Sequence, residues 1–231
     1  MNGWHLRADA LTVADSTRSV DLHLGTGGTV GIVGAPGAGK SALGRVLAGL
    51  ARPVSGVVTV NGHDIADLVG TRAGRSVLRQ AVRHVGPDVH GSFEPDRTMR
   101  DALRLPLRVL RRVTGTMADV QIDAVLRDLW LDGHLASLAP HELSPAHLRL
   151  FALARALVVQ PRLVIWDEPA DVPAAAQAAL LTAFRRQTGS HGTGFLVLSR
   201  RLPVGGPALE RLVLRDGRLL AAGAARLAHA A

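Results

Sequence analysis

Residues 34–41 read Gly34-Ala35-Pro36-Gly37-Ala38-Gly39-Lys40-Ser41, between an apolar run, Thr29 to Val33, and a stretch with helical apolar spacing, Ser41 to Leu50. Strand, glycine loop, helix is the context in which G-x-x-x-x-G-K-[ST] folds into a nest of backbone N–H groups around phosphate oxygens. Gly34, Gly37 and Gly39 give the backbone freedom to turn those groups inward, and the helix that starts near Ser41 adds its positive end. In this reading Ala35, Pro36, Ala38 and Ala42 complete the lining, Lys40 bridges the terminal phosphates, and the Ser41 hydroxyl meets Mg²⁺. Lys40 is the lone lysine among 27 basic residues. In a chain that otherwise uses only arginine, it marks a place for a compact ammonium on a thin stem, where a guanidinium fork does not fit.

Working outward, the complement of such a loop is an apolar strand that ends in acids, and Leu163-Val164-Ile165-Trp166-Asp167-Glu168 supplies it. Asp167 is placed to hold Mg²⁺, directly or through water, and Glu168 to polarise an attacking water as a general base. Taken alone, an Asp-Glu pair after a strand is an ordinary solvated strand end. Beside the phosphate loop it becomes the second half of a site.

The rest of the chain reads as an α/β fold. Short strands at Leu6 to Ala10, Leu11 to Val13 and Val20 to Leu24 predict a small antiparallel N-terminal sheet, and Val57 to Val60 followed by Asn61-Gly62 predicts a hairpin. Residues 88 to 158 read as mostly helical, including Thr98 to Val113 and Ala118 to Leu131. Buried strands at Leu163 to Trp166 and Gly194 to Leu198, with an Ala-rich helix at Ala174 to Arg186 between them, predict a mostly parallel core sheet. A final hairpin is expected at Arg211 to Leu214 and Arg218 to Ala221. The expectation is a P-loop NTPase in one domain, 1–231, with an antiparallel β-subdomain and an inserted helical subdomain over residues 88–158.

Composition narrows the function. The 231 residues are 47% hydrophobic and 20% charged, which supports a buried core and excludes wholesale disorder. With no Cys there is no disulfide, zinc-thiolate or iron–sulfur site. No apolar run approaches the ~20 residues that span a bilayer, and no secretion signal is expected, so any membrane role runs through a partner. The net charge of +8 invites nucleic acid, but the arginines are scattered, Tyr is absent and Phe numbers four. The aromatic interleaving of a single-strand binding surface is missing.

Between the loop and the acids lies Pro140-His141-Glu142-Leu143-Ser144-Pro145-Ala146-His147, followed by Phe151-Ala152-Leu153-Ala154-Arg155-Ala156-Leu157. The order resembles the ATP-binding subunits of ABC transporters, where an L-S-G-G-Q signature opens a helix ending in A-R-A-L and an L-x-x-x-D-E-P strand follows. The resemblance covers essentially the whole chain. Ser92-Phe93-Glu94-Pro95 with Thr98-Met99, and Leu105-Pro106-Leu107-Arg108, look most like subunits that drive oligopeptide, dipeptide or nickel import. It implies ATP and Mg²⁺ as cofactors. It also implies a head-to-tail pair of ATPase subunits, each ATP held between one phosphate loop and the other chain's signature, beneath two permease subunits fed by an extracytoplasmic solute-binding protein. The chain would then sit at the cytoplasmic face of the membrane, and the composition already speaks against a nucleic-acid partner.

Five departures from the family pattern stand out. The signature reads LSPAH: Ser144 keeps a hydroxyl for the partner site's γ-phosphate, while Pro145 removes a backbone N–H. The plainer reading of Ser144-Pro145 is an ordinary helix start. Gly86 or Pro87 stands where the family has a metal-contacting Gln. Ser199-Arg200 stands where it has a His, so Arg200 is either a fixed cation on the γ-phosphate or an exposed arginine. Ala170-Asp171-Val172-Pro173-Ala174 replaces the S-A-L-D loop, and Val13 to Ser16 offers no ring for adenine. These losses imply slow hydrolysis and a divergent half of a heterodimer, or a subunit that binds ATP only to brace a catalytic partner; a third reading, favoured only by the basic charge, is a non-transport ABC ATPase acting on nucleic acid.

Overall fold

A computed structural model of the chain describes residues 3–13, 18–169, 174–201 and 210–221, the side chains of residues 90, 174–179 and 181 excepted. Ala170 to Pro173, Ala14 to Thr17 and residues 202–209 and 222–231 lie outside it, and with them most of the altered S-A-L-D segment.

Two sheets carry the fold. The first is antiparallel, in the order β2-β1-β4-β5, from β1 (His5–Thr12), β2 (Val20–Gly25), β4 (Ser55–Val60) and β5 (His63–Asp64). The two short strands expected at the N-terminus are one strand with a bulge. The pairing of β1 with both neighbours shifts after Ala8–Asp9, and Ala10 takes φ 48°. Leu6 and Ala8 are buried before the bulge, and Leu11 and Val13 after it. One extra residue changes the alternation from even to odd positions while every apolar side chain keeps to the core face. Across the bulge stands Gly56 at φ 83°, where a Cβ would lie 2.4 Å from the Ala10 carbonyl oxygen.

The second sheet runs in the order β10-β9-β3-β8-β7-β6, from β3 (Thr29–Val33), β6 (Val82–Val85), β7 (Leu163–Asp167), β8 (Gly194–Ser199), β9 (Glu210–Arg215) and β10 (Arg218–Ala221). Every pairing is parallel except the β9–β10 hairpin. The central β7 and β8 are buried at every position, as expected of strands covered on both faces.

Helix α1 (Lys40–Leu47) packs on this sheet through Gly44, where a Cβ would come within 2.6 Å of Leu198. It ends earlier than the Leu50 expected. Gly49 turns at φ 68°, its N–H donating to Val46 and that of Leu50 to Arg45, the 5→2 and 6→1 bonds of a Schellman cap. No element was expected from Ile65 to Val85, which forms α2 (Ile65–Gly70), α3 (Arg72–Ala81) and β6.

Of the span 88–158 expected to be mostly helical, the helices are α4 (Met99–Pro106), a π-helical turn (Leu107–Arg111), α5 (Gly115–Asp128) and α6 (Pro145–Leu157), while residues 129–144 form turns with two short 3₁₀ segments. Met99, Leu103, Ile122 and Phe151 share one apolar cluster with Trp166, Phe184 and Phe195, so these helices are anchored to the face of the parallel sheet that α7 (Ala174–His191) also covers. Arg100–Asp123 at 2.8 Å and Arg104–Asp119 at 2.7 Å tie α4 to α5 along the outside.

Candidate nucleotide-binding site

Parallel register brings the three candidate segments to one edge. Val33 pairs with Ser199 and Asp167 with Leu198, so the chain leaves β3, β7 and β8 side by side at their C-terminal ends, the edge where open α/β sheets bind ligands. The glycine loop follows β3, Glu168 follows β7, and Arg200 follows β8. The Gly34 N–H donates to the Ser199 carbonyl at 3.3 Å. A Cβ at Gly34 would lie 2.7 Å from the Leu214 carbonyl oxygen, so the loop passes β9 at a distance only glycine allows. Gly37 and Gly39 take φ of 77° and 90°, and the second of these starts α1.

Lys40 is buried to 5% exposure, with its Nζ donating to the carbonyls of Gly34 at 2.8 Å and Ala35 at 3.0 Å. It lies 3.6 Å from Glu168 Oε1. Pro36, Gly37 and Ser41 are exposed, while Ala38 and Ala42 pack partly into the core beneath. The ammonium is therefore held inside its own loop, in line with the side chains an anion would meet.

Asp167 is fully buried, and neither carboxylate oxygen receives a hydrogen bond of good geometry. Burial pushes its carboxyl above the ordinary range; the Ser41 hydroxyl, His84 and Lys40 offset part of that. An orphaned, buried carboxylate beside an exposed hydroxyl is a donor set that suits a hard divalent cation. Among the described residues no group of three or more His, Asp or Glu could hold a metal unaided, so Mg²⁺ here would need phosphate oxygens and water to complete its shell.

Glu168 occupies the left-handed region at φ 51°, which costs a non-glycine residue about 1–3 kcal/mol and turns up at functional sites. Its N–H donates to Leu198 O at 2.8 Å, and its carbonyl accepts from Arg149 on α6 at 3.1 Å. Held that way, its carboxylate faces Lys40 at 3.6 Å and Arg200 at 4.0 Å. Arg200 is exposed, yet it is turned toward the site.

Ser144 is set apart. It caps α6, its hydroxyl accepting from the His147 N–H at 3.3 Å and pairing with His147 Nδ1 at 3.1 Å, and among the described residues no hydrogen bond joins it to the phosphate loop. Both readings of the sequence meet here, since the ordinary helix start is present and the hydroxyl stays at the surface. Gly86 and Pro87 follow β6 and bring no metal-binding side chain to the edge. Trp4 packs against the core of the antiparallel sheet. Three contributors escaped the sequence reading: Arg149, which fixes the Glu168 backbone; His147, which engages Ser144; and His84, which burial holds below its usual pKa against the pull of Asp167.

Fold and site together define a P-loop nucleotide-binding protein. The sequence pattern of the ABC transporter family matches residues 17–171, and the chain belongs to that family as an ATP-binding subunit. It is 31% identical over 199 residues to the nickel import ATP-binding protein NikE of Pseudomonas putida, spanning 86% of this chain and 72% of that one. The protein of that name from Shigella flexneri matches at 31% over 204 residues, 88% of this chain and 75% of the other. Among solved structures, the cbiO1 component of the cbiONQ ABC transporter complex of Clostridium perfringens superposes with a TM-score of 0.80 at 18% identity, covering 99% of this chain and 92% of that one. A dimeric ATP-binding cassette in a post-hydrolysis state with ADP and phosphate gives 0.82 at 21% identity, over 93% and 96% of the two chains. Among the described residues no helix is long and apolar enough to cross a membrane.

Proposed function

We propose that this chain, acting as a single nucleotide-binding unit, powers an ABC importer for a nickel- or peptide-type solute, as the divergent and slow half of an ATPase heterodimer. The importer class is carried over from the named nickel-import relatives. The observation that carries the mechanism is Glu168, turned by a left-handed backbone toward Lys40 and Arg200 on the edge it shares with Asp167.

Bound ATP supplies the scissile phosphoanhydride, with Mg²⁺ offsetting its charge. The chain's own residues would do the rest. The loop N–H groups and the α1 end hold the phosphates, and Lys40 exchanges its two carbonyl partners for phosphate oxygens. Asp167 and Ser41 would hold Mg²⁺, and Glu168 takes a proton from the attacking water. Arg200 stays charged throughout and contributes a fixed positive charge, so it replaces the electrostatic part of a histidine and not its proton exchange. Loss of a positioned proton-transfer group costs roughly 10²–10⁴ in rate. Ser144 would reach the partner subunit's nucleotide. The complete assembly would hold a second, non-identical ATPase subunit and two permeases at the cytoplasmic face, served by an extracytoplasmic binding protein.

A second reading is favoured by the same ion pairs: Glu168 held between two cations has its carboxylate engaged and not free toward an attacking water, and the chain would then brace its partner without turnover. Phosphate release by the assembled complex separates the two. Glu168→Gln is expected to remove this site's share of turnover while ATP still binds; an unchanged rate leaves the bracing reading.

A further inference from the structure

His84 is a half-buried imidazole that the mechanism above leaves without a task. It lies on β6, whose parallel register sets it beside Ile165 of β7, so Asp167 is its diagonal neighbour on the same face of the sheet. Helix α1 covers that face: Ile165 shares the apolar cluster of Leu43 and Leu47, while Val164 and Trp166 belong to the opposite one. Two glycines give the ring its room. A Cβ at Gly86 would lie 3.5 Å from His84 Cε1, and one at Gly44 would lie 3.4 Å from its Nε2. The imidazole thus leans along β6 toward the edge that carries the phosphate loop, with Nε2 under α1 one turn on from Ser41.

That nitrogen is buried without a hydrogen-bond partner, and so are both carboxylate oxygens of Asp167. Burial moves their pKa values apart, lowering that of His84 and raising that of Asp167, and the attraction between the two groups works against it in both. A buried N–H and a buried carboxylate each cost free energy while unpaired, and pairing them offsets both costs. Carboxylates that hold a metal are in turn hydrogen-bonded, which fixes the direction in which they face the ion.

We propose that His84 is a positioning residue for the metal site: its Nε2–H holds one oxygen of Asp167, directly or through one water, and leaves the other aimed at the cation. The inference rests on the reading of Asp167 and Ser41 as the groups that hold Mg²⁺.

The test titrates Mg²⁺ into the whole chain at saturating ATP and reads the rise in Tm, with ATP alone as the baseline. His84→Met fills the space with a flexible apolar side chain and removes the donor. It should weaken Mg²⁺ binding by about 10–100-fold, the usual cost of losing a group that orients a metal ligand. The Tm without nucleotide should hold or rise, and the gain from ATP without Mg²⁺ should be unchanged. His84→Gln, which returns an N–H at similar reach, should restore most of the affinity. His84→Ala carries the same expectation for Mg²⁺ should the longer side chain fail to fold. A Mg²⁺ midpoint unmoved by His84→Met would overturn the proposal. Equal shifts in His84→Met and His84→Gln would overturn it too, leaving the ring as packing under Gly44. Asp167→Asn separates either failure from a failure of the site itself: it should move the midpoint whatever His84 does, and no movement there would remove the metal site and the inference together.

Discussion

Asp167→Asn should make the nucleotide-free protein more stable and the nucleotide-bound protein less so. The carboxylate is buried and lacks a full hydrogen bond, and burial pushes its carboxyl above the ordinary range while Ser41, His84 and Lys40 offset only part of that, so folding desolvates a carboxylate that its surroundings repay incompletely. An amide of the same shape removes that charge, with an expected gain on the order of 1 kcal/mol. In a chain of this length that is a rise in Tm of about 2–4 °C. Mg²⁺ and ATP reverse the order. At a concentration about a hundredfold above Kd, a ligand bound only by the folded state adds about 2.7 kcal/mol. The wild type should collect that gain, and the variant, without its metal-holding carboxylate, only a fraction of it. Thermal unfolding of both proteins, with and without Mg²⁺ and ATP, reads the crossing directly. A variant with a lower apo Tm, or with an undiminished gain from Mg²⁺ and ATP, would refute the assignment of Asp167 as a strained, metal-seeking group.

Two further perturbations probe the scaffold. Gly56→Ala meets the Ala10 carbonyl at 2.4 Å with φ at 83°, so it should cost about 2–4 kcal/mol in denaturant unfolding, whereas Gly62→Ala, in open space at φ 82°, should cost only about 1 kcal/mol. Arg83 on β6 is pushed down to about 10 by burial and by Arg155 and Arg79. A cation with a depressed folded pKa loses stability as the pH falls through that value, so its cost is fully present at pH 7. Arg83→Met should raise the melting temperature there, with an advantage that shrinks above about pH 10; a lower Tm at pH 7 would contradict this.

What could be read in advance was whatever is local. The phosphate loop is eight consecutive residues whose chemistry is carried by their own backbone, and the apolar run ending in Asp167-Glu168 declares both a buried strand and its exit. The helices of residues 99–157 announce themselves by apolar spacing. Other parts depend on pairings a sequence does not display. Strand β6 is only four residues, Val-Arg-His-Val, with its two central positions half-buried at the sheet edge, and α3 buries little beyond Gly74 and Leu78 under a coat of arginine. The bulge in β1 looks like two strands because the alternation changes phase. The backbone turn of Glu168 and its Arg149 support join residues 19 apart, through a carbonyl that no side-chain pattern records. The His147 contact lies within four residues of Ser144 and was available to a closer reading, since Ser at an N-cap with a polar residue at the third helical position is a recurring local pair.

The most direct test of the account is to purify the tagged chain from detergent-solubilised membranes of its own host and identify every subunit that comes with it. Two permeases and a second ATPase subunit of consensus sequence are predicted. Recovery of no membrane subunit would contradict the importer role.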